Sequence, residues 1–198
     1  MTGERPASVL AGVRYGAIAR HGDQRGSFRE LWRASAFAGV PPADAGLGAG
    51  QALRFSQANL STSVPGVLRG LHLHRRQLDH WLVSRGRAFV ALVDVRPMLE
   101  DAAADPLVET RELVADDWLD IPVGVAHGFI ALEALELIYF VSNEYDGSDE
   151  LGFAWDDPRV GVPWPVIADL PGGRPILSDR DRANPSLTEL VVRLRHSG

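Results

Sequence analysis

The sequence predicts a mainly β fold, a sandwich or barrel of jelly-roll type with a short C-terminal helix. Three observations predict it. Short apolar or alternating runs recur along the chain, and turn-forming residues separate them. The 20 glycines and 13 prolines are distributed among those runs, which suits strands and turns and argues against an all-helical chain. A clear 3.6-residue periodicity occurs once, near the C-terminus. With 198 residues, 45% of them apolar, the chain is expected to form one domain over residues 1–198 with a full core.

Composition narrows the function classes. There is no cysteine, so disulfides, a thiol nucleophile and thiolate metal ligands are excluded. The net charge is −6 and no basic stripe dominates, so nucleic acid is not an expected partner. The first residues carry no apolar run of signal-peptide length, and nothing approaches the roughly 20 apolar residues of a membrane span. The expectation is a cytoplasmic protein without a membrane partner.

In chain order, Val9–Val13 and Tyr15–Ala19 suggest an edge strand, and Asp23–Gly26 a turn. Ser27–Trp32 fits a strand or a short helix. Residues 41–50, rich in Pro, Ala and Gly, read as a loop. Gln51–Ser61 is an expected strand with Phe55, Gln57 and Asn59 on one face. Trp81–Val83 and Arg87–Val95 are strands, the second apolar on both faces and therefore covered on both sides. Met98–Pro106 is an acidic loop, and Leu107–Val114 an alternating strand. Trp118–Ile121 leads into a turn at Pro122–Gly124. Strands follow at Ala126–Leu132 and Leu135–Ser142, with a turn at Asp146–Asp149, a last short strand at Phe153–Trp155, and irregular chain over Pro158–Pro175. The final helix is expected to be capped by Asn184, with Pro185 in its first turn and Leu187, Leu190, Val191 and Leu194 as its apolar stripe.

The stretch from Gly66 to Gly86, GVLRGLHLHRRQLDHWLVSRG, concentrates the chemistry. If Leu68–His74 is extended, His72 and His74 share a face with Leu68 and Gly70, while Arg69 shares the other with Leu71 and Leu73. The spacing Gly66-x5-His72-x-His74-x4-Asp79-x6-Gly86, with Pro122-x-Gly124-x2-His127, resembles the two motifs of the cupin superfamily, a small jelly-roll barrel. Asp79 stands where those motifs have Glu, and the second motif is partial. His72, His74, Asp79 and His127 are an N/O set suited to a divalent Fe, Mn, Ni or Zn ion.

A longer resemblance covers residues 23–181. Asp23–Glu30 (DQRGSFRE), Gln57-Ala58-Asn59, Gly66–His72 (GVLRGLH), Val93–Arg96, Ile121–Phe129 (IPVGVAHGF), Leu137–Tyr139, Trp155–Pro158 (WDDP), Gly161–Pro165 (GVPWP) and Leu177–Asp181 (LSDRD) occur in order. The chain is thereby identified as resembling the sugar-nucleotide 3,5-epimerases that act on dTDP-4-keto-6-deoxyglucose, themselves cupin-fold enzymes. The resemblance implies an isomerase of deoxysugar biosynthesis, a nucleotide-sugar substrate, a homodimer and no cofactor. It implies His72 as catalytic base, Asp181 as its paired carboxylate and Tyr139 as the acid on the opposite sugar face. It implies His127 as a second pocket histidine, Arg69 near the phosphates, Gln57 and Asn59 as site lining, and Arg25 and Glu30 as nucleotide contacts, partly across a dimer.

The chain departs from that pattern in one segment. The family carries a lysine near the ketone oxygen; aligned from Gly86, Asp79 takes its place, and His74 stands where Gln is usual. Loss of such an enolate stabiliser typically costs about 2.7–4 kcal/mol. Two alternatives therefore stand beside the epimerase. One is a metal-dependent cupin enzyme using one divalent ion on His72, His74, Asp79 and His127. The other is a catalytically inactive sugar-nucleotide-binding protein. A metal-bound His72 would not be free to act as the base, so the metal and base roles compete for it.

Overall fold

A computed structural model describes residues 7–49, 51–167 and 173–196. Its strands are β1 (Arg14–Ala17), β2 (Arg20–Asp23), β3 (Gly26–Arg29), β4 (Gln57–Ser63), β5 (Leu68–Leu73), β6 (Asp79–Arg85), β7 (Arg87–Asp94), β8 (Leu107–Val114), β9 (Asp117–Ile121), β10 (Val125–Ala131), β11 (Leu135–Val141) and β12 (Leu151–Gly152). Three helices join them: α1 (Arg96–Glu100), α2 (Asp179–Arg182) and α3 (Leu187–His196). One five-stranded sheet runs β1-β9-β6-β11-β4, a second runs β12-β5-β10-β7-β8, and β2-β3 form a separate hairpin. The named strand pairs are antiparallel, as the jelly-roll expectation requires.

The two sheets enclose one apolar core. Val83, Leu119, Ile121, Leu135 and Leu137 from the first meet Val90, Leu92, Leu113, Val125 and Phe129 from the second. The outer face of the second sheet carries another core, in which Leu71, Leu73, Ala91, Val93 and Ala126 pack under Met98 and the α3 stripe Leu187, Leu190, Val191 and Leu194. Strand β7 is thus apolar on both faces because each face enters a different core. The outer face of the first sheet is covered by aromatic side chains, with Phe37 and Phe140 about His80 at ring separations of 5.0 and 5.8 Å.

Several expectations shift. Strand β4 begins at Gln57, so Phe55 precedes it and packs edge-on against Phe37. Ser27–Trp32 resolves as a strand that ends at Arg29. The loop from 41 holds a one-turn 3-10 helix, Pro42–Ala45, and Gly50 lies outside the described residues. A short helix, α1, begins the Met98–Pro106 segment. The last short strand is Leu151–Gly152, where backbone pairs with β5, and not Phe153–Trp155.

Helix α3 starts later than its Asn-Pro signal suggests. Ser186 and Glu189 form a capping box: Ser186 Oγ accepts from the Glu189 amide at 3.3 Å, and Glu189 Oε2 accepts from the Ser186 amide at 2.9 Å. The reciprocal pair satisfies two end groups at once, and Asn184 stays outside the helix.

Candidate active site

The space between the sheets opens into a cavity of about 470 Å³, lined from both walls. On the first sheet, register places Asn59, Tyr139 and Trp81 in one cross-strand row, and Gln57, Val141 and Asp79 in the next. Residues two apart share a face, so both rows point inward. On the second sheet, His72 lies opposite His127, and Arg69 opposite Phe129.

That last pairing corrects the sequence expectation for Arg69. Between the two pairs, β5 advances three residues while β10 advances two. The irregularity moves Arg69 onto the face of His72, whereas strict alternation would turn it away. Gly70 makes it sterically possible: its φ is +136°, and a Cβ there would lie 2.6 Å from the Cα of Gly128.

His72 is aimed by Asp181, whose Oδ1 lies 2.7 Å from Nε2. Ser178 caps α2 by accepting from the Asp181 amide at 3.1 Å, which positions the carboxylate. Burial opposes ionisation of Asp181. Hydrogen bonds from His72 and Ser178, with the charges of His72 and Arg180, outweigh it and hold the carboxyl below its usual range. An ionised Asp181 accepts the Nε2 proton and leaves the Nδ1 lone pair of His72 as the basic site.

Tyr139 stands on the opposite wall. Burial first, and then the negative charge of Asp79, push its phenol upward, with Arg69 opposing. The group is therefore a protonated donor at neutral pH.

His127 is buried at the cavity wall, and burial brings it down to about 4 against the opposing charge of Asp79. Its Nδ1 donates to the Val125 carbonyl at 3.3 Å, and its Nε2 faces Asp79 Oδ2 at 3.6 Å. His74 Nδ1 donates to the Asp149 carbonyl at 2.7 Å. Asp79 is clamped in turn by Gln77, 2.7 Å from Oδ1, and by the Trp81 indole, 3.2 Å from Oδ2.

The cavity thus brings together His72, Asp181, Tyr139, Gln57, Asn59, Arg69, His74, Asp79 and His127. Three of the four candidate metal ligands form one close group. His74, Asp79 and His127 converge, with ligand atoms all within 4.8 Å of one another, while His72 is turned to Asp181.

Arg25 and Glu30 lie elsewhere. Arg25 is on the β2–β3 hairpin, paired with Asp23 at 2.5 Å, and Glu30 is paired with Arg33 at 2.6 Å, both exposed.

Sequence reasoning missed Arg180 and Glu150, which form an ion pair at the cavity wall, and Asp149. The Asp149 carboxylate accepts from the amides of Arg75 and Arg76, each at 2.9 Å, and so shapes the loop after β5. Position 180 sits inside the quoted LSDRD motif, which was the available signal. Asp149 looked like an ordinary turn residue.

All 20 residues counted as Lys or Arg are arginine, so no lysine side chain can reach this cavity from this chain or from a second copy of it.

Two facing antiparallel sheets of cupin type, with a carboxylate-oriented histidine on one wall and a half-buried tyrosine on the other, make a jelly-roll cavity suited to proton transfer. The model of the dTDP-4-dehydrorhamnose 3,5-epimerases matches residues 8–189, and the chain belongs to that family. Among its relatives, the Bacillus subtilis spore coat polysaccharide biosynthesis protein SpsL is 35% identical over 79% of this chain and 97% of that protein. The dTDP-4-dehydrorhamnose 3,5-epimerase of Escherichia coli is 34% identical over 86% of both chains. The solved rmlC epimerase of Mycobacterium tuberculosis superposes with a TM-score of 0.74 at 30% identity, covering 96% of this chain and 90% of its own. The Legionella pneumophila RmlC structure, in complex with dTDP-4-keto-L-rhamnose, superposes with a TM-score of 0.75 at 25% identity, covering 95% and 94%.

Proposed function

We propose that this chain epimerises a dTDP-linked 4-keto-6-deoxysugar at C3, C5 or both. The observation that carries the reading is the placement of His72, fixed by Asp181, and of Tyr139 on opposite walls of one cavity. A ketone at C4 acidifies the hydrogens on C3 and C5. His72 Nδ1 takes one of them, and the C–H electron pair becomes the enolate double bond as negative charge moves to the ketone oxygen. Tyr139 returns a proton to the other face of the same carbon; solvent then reprotonates the phenolate and takes the proton that His72 gained. The transfers balance without an oxidant or a reductant.

Other residues have binding roles in this reading. Gln57 donates to Asn59 at 2.8 Å, a pair that lines the sugar end of the cavity. Arg69 is held by Ser63 and the Thr62 carbonyl and offers its planar fork to phosphate. Arg25 and Glu30, outside this chain's own cavity, fit contacts made to a neighbour's nucleotide. The working unit is then a homodimer in the cytoplasm, where activated sugars are made. The β2–β3 hairpin supports this: among the described residues it forms a sheet of its own, and it carries Phe28, 69% exposed.

The test is product stereochemistry. Incubation with dTDP-4-keto-6-deoxyglucose, followed by proton NMR of the sugar couplings, should show inversion at C3, C5 or both. Saturable binding of the substrate by calorimetry with no inverted product would instead identify a sugar-nucleotide-binding protein.

A further inference from the structure

We propose that His74, Asp79 and His127 form a binding site for one borderline divalent cation, of the zinc, cobalt or nickel type, open toward the cavity. A backbone carbonyl only accepts hydrogen bonds, so His74 and His127 must each carry a proton on Nδ1 to bond Asp149 and Val125. Both Nε2 lone pairs are thereby left for ligation. One ring nitrogen of each histidine and a carboxylate oxygen of Asp79 converge, all three ligand atoms within 4.8 Å of one another, and on His127 the nitrogen that faces Asp79 is Nε2. A proton on one imidazole would relieve a single pair of these acceptors, whereas a dication relieves all three.

The spacing and the supporting shell agree with this. Metal–ligand bonds near 2.1 Å in tetrahedral arrangement put ligand atoms about 3.4 Å apart, and His127 Nε2 lies 3.6 Å from Asp79 Oδ2. Carbonyls behind ligating imidazoles and hydrogen bonds behind a ligating carboxylate are the usual supports of a metal site. Here Asp149 and Val125 supply the first, and Gln77 and Trp81 the second. A two-histidine, one-carboxylate set leaves coordination positions for a substrate oxygen. His72 takes no part, so the base and the cation coexist.

The site also bears on the charge at position 79. A chain without lysine places a carboxylate where a ketone oxygen would gain negative charge, and a dication reverses that sign as a Lewis acid. This role rests on the epimerase reading; the binding does not.

The test is therefore made without substrate. The full chain, stripped with EDTA, is titrated calorimetrically with Zn2+, and retained zinc is counted by elemental analysis after gel filtration. One zinc per chain is expected. His74→Gln, at a half-buried position at the cavity wall, should weaken binding at least about 100-fold, and Asp79→Asn at least about tenfold. His72→Gln should leave it unchanged. Cobalt(II) on the unaltered chain should show visible d–d absorption that one equivalent of zinc removes. No binding at millimolar zinc, binding indifferent to both His74→Gln and Asp79→Asn, or binding lost in His72→Gln would each overturn the site. None of those results touches the epimerase reading, which is judged on the sugar.

Discussion

Asp181 remains ionised in spite of its burial, and it fixes which nitrogen of His72 is basic. Asp181→Asn should release the wrong tautomer and lower kcat by about 10²–10⁴-fold, read in a steady-state assay. The same shift has a consequence for stability. A carboxylate whose folded pKa is depressed contributes stability that is fully present above its unfolded value, near 3.9, and is lost as pH falls through the folded value. Urea unfolding of the native chain and of Asp181→Asn should therefore differ at pH 5, and the gap should narrow as pH falls below 4. Tyr139 shifts in the other direction. Its raised phenol keeps it an acid at and above its ordinary pKa, so the alkaline fall in kcat should lie above pH 10. Asp79→Asn removes one of the charges that raise it and should move that limb to lower pH.

At the scale of elements, much was written in the local pattern and some was not. The alternation of Leu137, Tyr139 and Val141 showed that these residues share a face, and antiparallel register then set Tyr139 beside Asn59 and Trp81. The apolar run of β7 announced two covered faces. Arg69 was misplaced, because the change of face at Gly70 arises from a register shift against β10, a non-local fact that no period-two count contains. The end of α3 was misread for a different reason. Asn184 and Pro185 carry a generic start signal, but Ser186 with Glu189 satisfies two backbone-end groups reciprocally, which a lone Asn cannot. Ser186→Ala should lower stability by about 1 kcal/mol in urea unfolding, with a loss of α3 helicity. Gly70→Ala places a Cβ against the backbone of Gly128 at a φ that side chains rarely adopt, and should destabilise the fold more severely than the cap variant.

Over the whole molecule, the two sheets do different work. The second, backed by α1 and α3, holds His72 and His127 on a rigid wall, while the first brings Tyr139 and Asp79 to face them. Sequence spacing alone grouped His72 with His74, Asp79 and His127. The fold adds a further partner to His72, because Asp181, 109 residues away along the chain, reaches its Nε2 at 2.7 Å. The motif around Asp181 could be read in the sequence, but not which ring nitrogen of His72 its carboxylate would meet. The central claim is that His72 removes a proton that Tyr139 replaces from the other wall. The most direct measurement is mass spectrometry of dTDP-4-keto-6-deoxyglucose incubated with the protein in D2O. The native chain should add one or two deuterons, Tyr139→Phe should still exchange hydrogen without inverting the carbon, and His72→Ala should add none. Exchange by His72→Ala at the native rate, or no exchange by the native chain with substrate bound, would contradict the account.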